Sequence, residues 1–394
     1  MHCSNECASA VPTSLHAHVS EVTRRNPALR GLACIRCKFT TAELDFPDGC
    51  PFCARAGHAA NLRCLYDTER GNTDLQLPYW ATPHLGEGAT PLVALAASLA
   101  GPARTAFFKM ECANPTGSHK DRMAAMGVAH AKIIGKQSII AASSGNAGVS
   151  IAAYAAAAGM PCEIAVTPAC NALYRALMSQ HGAVVTECAD RLSRWTYVEM
   201  QCRDASVYSL TNYAQPAVGS PAIAIEAYKP VAIEMVSDVK AQRAADINEV
   251  YVPVARGDLL WGLYLGFKHA LECDAIAAIP KLVAVEPYAR LARVFAGGDY
   301  RAQMPGTTLQ LSTSGSTVTF QAFEAVRLSG GRVEVVADAE AITARNALAR
   351  AGFSFELCAA AAYAAYRRSP HTLSQQGSAV VIATAHGSRD ALST

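Results

Sequence analysis

Long apolar runs are scarce in this chain. The longest, such as Val149 to Met160, are rich in alanine and are punctuated by Gly159 and Pro161. They are too short and too weakly hydrophobic to span a bilayer, which takes about 20 apolar residues. An excess of one charge is lacking as well, since 34 Lys and Arg against 32 Asp and Glu leave a formal net charge of +2. That balance gives no basic footprint for nucleic acid and none for an anionic membrane. The start of the chain, Met1-His2-Cys3-Ser4-Asn5-Glu6, has no basic stretch ahead of an apolar core, so no secretory signal is read there. Fixed-period repeats and low-complexity linkers are also absent.

What is present is a globular composition, with 51% apolar and 17% charged residues over 394 positions. A chain of that length exceeds one small core, so two domains and an appendage are expected. Fourteen cysteines without an export signal point to reduced thiols or metal ligands rather than a disulfide frame, and to a cytoplasmic location.

Residues 1 to 30 read as a polar tail, and residues 31–66 hold clustered cysteines. Gln137 to Ala142 fits a buried strand and Ala147 to Ala158 a helix, stopped by Gly159 and Pro161. Cys162 to Thr167 resumes as a strand, which makes a strand–helix–strand unit and so a parallel sheet covered by helices. Glu249 to Val254, a helix from Leu259 to Leu271, and Leu282 to Glu286 repeat the unit, and Ala379 to Ala383 closes it. The expected fold class is α/β, with two open lobes and a ligand between them. Residues 67–112 and 216–394 are assigned to a large lobe and 113–215 to a small one.

Two segments carry chemistry. Asn114-Pro115-Thr116-Gly117-Ser118-His119-Lys120-Asp121-Arg122 places a lysine after a tight turn, at the mouth of a helix. Ser143-Ser144-Gly145-Asn146-Ala147-Gly148 sets small hydrogen-bonding residues in a strand-to-helix turn, where free backbone N–H groups can hold an anion. Taken singly, each has a bland reading, as a solvated lysine and an ordinary Ser-Gly-Asn turn. Together they suit a phosphate-bearing aldehyde cofactor, with the lysine amine bonding to the aldehyde carbon.

With these residues in view, the chain resembles the threonine synthases, within the tryptophan synthase β-subunit-like group of pyridoxal-phosphate enzymes. The family pattern NPTGSFKDR is matched by Asn114 to Arg122, with His119 in place of Phe, and SSGNTG by Ser143 to Gly148. Leu85 to Leu92 matches LGEGxTPL, Glu226-Ala227-Tyr228-Lys229 is similar to EGxK, and Thr384 to Asp390 is similar to TGHGLKD. The resemblance runs from about residue 34 to the end. It implies that Lys120 is the lysine joined to pyridoxal 5'-phosphate and that Asn146 contacts its phenolic oxygen. It further implies that Ser144, Gly145 and Ala147 complete the turn beside it, and that Thr384 faces the pyridine nitrogen. The implied reaction converts O-phosphohomoserine to threonine and phosphate, with Ser118, Lys109 and Lys229 as candidates for a second anion site. A small-molecule amino-acid substrate is expected, in a homo-oligomer that binds neither nucleic acid nor membrane. Two other readings stand beside it: β-elimination or β-replacement on a serine-like amino acid, and a catalytically degenerate relative with a regulatory role.

The chain departs from the family at its phosphate cup. Several near-consecutive glycines are usual there, whereas this sequence reads Val254-Ala255-Arg256-Gly257-Asp258-Leu259. Arg256 beside Gly257 could replace the lost amide contacts with a charge-assisted bond. Equally, the two charged side chains could be a solvated turn. Finally, Cys34-x-x-Cys37 and Cys50-Pro51-Phe52-Cys53, separated by 12 residues, are two close thiolate pairs of the kind a structural zinc requires. The alternative is a metal-free set of thiols.

Overall fold

Alternation of Val/Ile-rich runs with alanine-rich helical segments builds two parallel sheets. The structure, a computed structural model, describes residues 23–67, 74–80, 84–101, 105–369 and 377–390. The larger sheet has six strands in the order Arg332–Val335, Lys281–Glu286, Ile247–Pro253, Ser378–Ile382, Thr105–Lys109 and Leu92–Ala94. All pair in parallel except the edge strand Leu92–Ala94. Its central strand Ser378–Ile382 is buried along its whole length, as expected where helices cover both faces of a parallel sheet. The smaller sheet is wholly parallel, in the order Val184–Glu187, Cys162–Val166, Ser138–Ala142 and Val207–Ser209.

Strands and helices lie within a residue or two of the sequence expectation. The first helix of the small-sheet unit spans Asn146–Ala157, and the helix after Ile247–Pro253 spans Asp258–Glu272. The amino-terminal expectation needs correction. Arg24–Arg25 is not tail but a short strand paired with Tyr79–Trp80, and Leu29–Cys34 is the middle strand of an antiparallel sheet with Thr40–Thr41 and Leu62–Tyr66. Two consecutive arginines look solvated in sequence, because the strand that pairs with them is remote. The expected tail over residues 1–22 lies outside the described residues.

The small antiparallel sheet is docked onto the large lobe by buried polar contacts. Asn61 Nδ2 donates to Ser220 O and to Gln321 Oε1, both at 2.9 Å, and Tyr66 Oη donates to Glu226 Oε2 at 2.9 Å. Among the described residues no helix is long and apolar enough to cross a membrane.

Candidate active site

Lys120 is the first residue of the helix Lys120–Ile133. The turn before it passes through Gly117, whose φ of +78° is in the left-handed region that favours glycine. That turn is stitched to the end of the central strand of the large sheet: His119 N donates to Thr384 O at 2.9 Å and His386 N to Gly117 O at 3.0 Å. Thr116 N and Ser150 Oγ donate to the Asp121 carboxylate, each at 2.6 Å, which fixes the turn to the neighbouring helix. Lys120 and Thr384 thereby reach one cleft of about 560 Å³ between the sheets.

The Lys120 amine has no hydrogen bond or ion pair among the described residues and stands 5.8 Å from the centroid of the Tyr228 ring. Burial lowers its pKa, and the Arg256 charge adds to this, while Asp258 and Glu356 act against it. Burial, followed by the Lys120 charge, keeps the adjacent His119 imidazole neutral. Its Nδ1 lies 3.1 Å from Thr384 O, so that nitrogen carries the proton.

The turn at Ser143–Gly148 follows the strand Ser138–Ala142 and opens the helix Asn146–Ala157. Ser143 Oγ accepts from Gly148 N at 2.9 Å and closes it. Ser144, Gly145, Asn146 and Ala147 all line the cleft. Asn146 Nδ2 donates to Glu356 Oε2 at 2.7 Å. Its Oδ1 accepts from Tyr174 Oη at 3.3 Å and from Arg389 Nη1 at 3.2 Å. An asparagine amide has two donor hydrogens, so one N–H remains for a ligand oxygen.

The altered cup also faces the cleft. Gly257 has φ +80°, and a Cβ there would lie 2.4 Å from Ala322 Cβ, so only glycine fits. Asp258 does not face outward as a solvated turn would. Its carboxylate accepts from Ser220 N at 3.2 Å, Ser220 Oγ at 2.7 Å and Gln321 Nε2 at 2.6 Å. The Arg256 guanidinium lies 5.8 Å from the Trp195 ring centroid, and its Nε has no hydrogen-bond partner among the described residues.

Three nominated residues lie elsewhere. Ser118 is fully buried under the turn, bridged to Ala385, and its Oγ accepts from Lys120 N at 3.4 Å. Lys109 is fully buried between Thr90 O at 2.6 Å, Glu234 at 2.7 Å and Asp238 at 3.5 Å. Lys229 pairs with Glu226 at 2.5 Å and lies 4.8 Å from the Tyr66 ring centroid. A buried ammonium persists only where carboxylates neutralise it, and both lysines are already neutralised outside the cleft. The expectation that these three bind substrate is corrected accordingly.

Residues that sequence reasoning missed complete the walls. Glu356 is buried, and Asn146 Nδ2 and Ser312 Oγ both donate to it. Burial, with Asp390 nearby, pushes its carboxyl up to about 7. Arg191, Arg194 and Arg389 also face the cleft.

In the antiparallel appendage, the Sγ atoms of Cys34, Cys37, Cys50 and Cys53 all lie within 4.8 Å of one another. The pairs Cys34–Cys53 and Cys37–Cys50 are each at 3.6 Å. Zinc–sulfur bonds of about 2.3 Å in a tetrahedron set sulfur–sulfur distances near 3.8 Å, so this set fits a single zinc ion.

A family profile described as pyridoxal-phosphate dependent enzyme matches residues 84–385. The threonine synthase of Halalkalibacterium halodurans is 30% identical over 312 residues, covering 78% of this chain and 84% of its own. That of Mycobacterium bovis is 28% identical over 275 residues, covering 69% and 72%. The solved structure of maize serine racemase superposes with a TM-score of 0.63 at 20% identity, covering 76% of this chain and 88% of its own, a likeness of fold.

Proposed function

The chain belongs to the pyridoxal-phosphate dependent enzyme family, and within it we propose a lyase of the threonine synthase type, which releases phosphate from Cγ of O-phosphohomoserine and adds water at Cβ to give threonine. The observation that carries this reading is Lys120: an amine without a partner among the described residues, in a cleft flanked by the Ser143–Gly148 turn, Arg256 and Thr384. The cofactor, when bound, supplies an electron sink for the charge left at Cα.

The remaining work falls to side chains of this chain. Lys120 moves the proton at Cα, and burial that lowers its pKa raises the neutral, basic fraction near pH 7. The free Asn146 N–H suits the cofactor's phenolic oxygen. Thr384 offers the ring nitrogen a hydroxyl rather than a carboxylate, which does not enforce protonation there. Arg256 and Gly257, at the start of the helix Asp258–Glu272, suit the cofactor phosphate; Arg256 brings a charge that backbone amides lack. The test is phosphate release and threonine formation from O-phosphohomoserine by purified holoenzyme. Pyruvate or a substituted alanine formed from a serine-like substrate, with no phosphate release from O-phosphohomoserine, would instead favour β-elimination or β-replacement.

The four cysteines of the appendage would hold a structural zinc, closing a ribbon whose Asn61 contacts reach Ser220 and Gln321, the two residues that hold Asp258. A reducing, cytoplasmic setting is part of this reading, since thiolates that hold zinc must stay reduced.

A further inference from the structure

Four guanidinium groups line one cleft, those of Arg191, Arg194, Arg256 and Arg389, and among the described residues none has a carboxylate within ion-pairing distance; Arg389 is taken up by Asn146 Oδ1 and Thr116 O. Arg191 and Arg194 stand one turn apart at the start of the helix Arg191–Gln201, beside the small sheet. Arg256 comes from the opposite wall. Arg194 is only 8% exposed; its Nη1 donates to Ser144 Oγ at 3.0 Å and its Nε has no partner. Arg191 reaches across the cleft, donating from Nη1 to Ser314 O at 2.5 Å and from Nη2 to Ser314 Oγ at 2.6 Å. Burial, then repulsion by Arg256 and Arg191, brings Arg194 down to about 10. Asp190, the nearest acid in sequence, is turned to the helix amides of Leu192 and Ser193.

Arg194 is a buried cation, which is costly without a paired charge, and an anion entering the cleft would relieve it together with the partly buried Arg256 on the facing wall. Arg256 stands on the loop opening the helix Asp258–Glu272, as a cofactor phosphate partner should, so one anion accounts for one guanidinium. Two remain. We propose that Arg191 and Arg194, together with the Ser144 hydroxyl, form the subsite for a phosphate monoester carried on the substrate's side chain. This rests on the lyase reading above and names the residues that give it specificity, in place of Lys109 and Lys229. A guanidinium pair matches the several acceptor oxygens of a phosphate dianion better than a carboxylate does. Ser144 Oγ already accepts from Arg194 Nη1 and Thr167 N, which leaves its proton for Thr167 Oγ1, 3.1 Å away, or for a ligand oxygen.

The test titrates inorganic phosphate into cofactor-loaded wild type, Arg194→Gln and Arg191→Gln by calorimetry, alongside cofactor affinity of each apoprotein. Phosphate binding should weaken about tenfold or more in each variant, with cofactor affinity unchanged within about twofold. The KM for O-phosphohomoserine should rise by a similar factor. Arg191 is exposed, so its replacement leaves the core intact and keeps the test decisive where Arg194→Gln folds poorly. Unchanged phosphate binding in Arg191→Gln and in any folded Arg194→Gln would overturn the proposal, as would a loss confined to cofactor affinity. Loss of phosphate binding in the variants, with no turnover of O-phosphohomoserine by wild type, keeps the subsite and rejects the lyase reading instead. Equal turnover by wild type and both variants rejects the subsite and keeps the lyase.

Discussion

Asn146 and Glu356 meet across the cleft at 2.7 Å, amide to carboxylate. Asn146 opens a helix beside the small sheet, while Glu356 precedes the helix Leu357–Arg368 of the large lobe, so this hydrogen bond ties the two walls together, as do those from Arg389 to Asn146 and from Arg191 to Ser314. With its amide nitrogen turned to Glu356, Asn146 leaves its oxygen to Tyr174 and Arg389. Glu356 thus sets which atoms of Asn146 a ligand can meet.

That carboxyl gives the protein a pH dependence. Burial raises it to about 7, above the ordinary value for glutamate of about 4.3. The folded state therefore holds its proton more tightly than the unfolded state does. Its stabilising effect is complete below about pH 4.3 and is lost as pH rises through about 7. Glu356→Gln should flatten the fall in stability between pH 5 and 8, by an amount on the order of 2 kcal/mol. Urea melts at the two pH values measure this, and equal slopes in wild type and variant would count against it.

Asp258 is a structural group within the cleft wall. Replacing it by alanine strands Ser220 N, Ser220 Oγ and Gln321 Nε2, and unsatisfied buried donors cost roughly 1–3 kcal/mol each. Asp258→Ala should therefore lower stability by a few kcal/mol, while the affinity of the apoprotein for pyridoxal phosphate stays the same or improves. A clear loss of cofactor affinity without loss of stability would place Asp258 against the cofactor instead.

Arg256→Ala should behave oppositely. One charge-assisted hydrogen bond contributes roughly 1.5–3 kcal/mol, so cofactor affinity should fall by about one to two orders of magnitude. Arg256→Lys should recover only part of this, because the planar fork is lost. Stability of the apoprotein should hold, since a guanidinium whose Nε has no partner is removed. Titration of the apoproteins with pyridoxal phosphate decides the matter, and unchanged affinity in Arg256→Ala would falsify this role.

The cysteine cluster predicts about one zinc per chain. Cys50→Ser, or removal of the metal by a chelator, should lower the melting temperature more than it alters the chemical step, as for closed four-ligand sites. Metal analysis with melting curves checks this. A metal-free protein whose four thiols react freely in the native state would exclude it.

Much of the framework was legible because it is local. The Asn114–Arg122 and Ser143–Gly148 turns are contiguous, and hydrophobic runs bounded by Gly and Pro gave the strands around them. What escaped depends on distant partners. Glu356, just before an alanine-rich helix, reads as a carboxylate suited to a helix N-terminus; its burial against Ser312 and Asn146 is tertiary. Arg191 and Arg194 read as the solvated face of a helix, since nothing in the local sequence shows that Ser144 and Ser314 close over them. Lys109 reads as a free charge in sequence, because its carboxylates Glu234 and Asp238 are far away along the chain. Lys229 is different: Glu226, three residues before it, is at helical pairing distance and could have flagged the ion pair.

The central claim is that Lys120 is the residue joined to the cofactor. Its most direct test is borohydride reduction of the purified holoenzyme, followed by peptide mass spectrometry. The account predicts that the peptide containing Lys120 alone carries the added mass of the reduced pyridoxyl phosphate. Labelling of a different lysine, or none despite saturating cofactor, would contradict it.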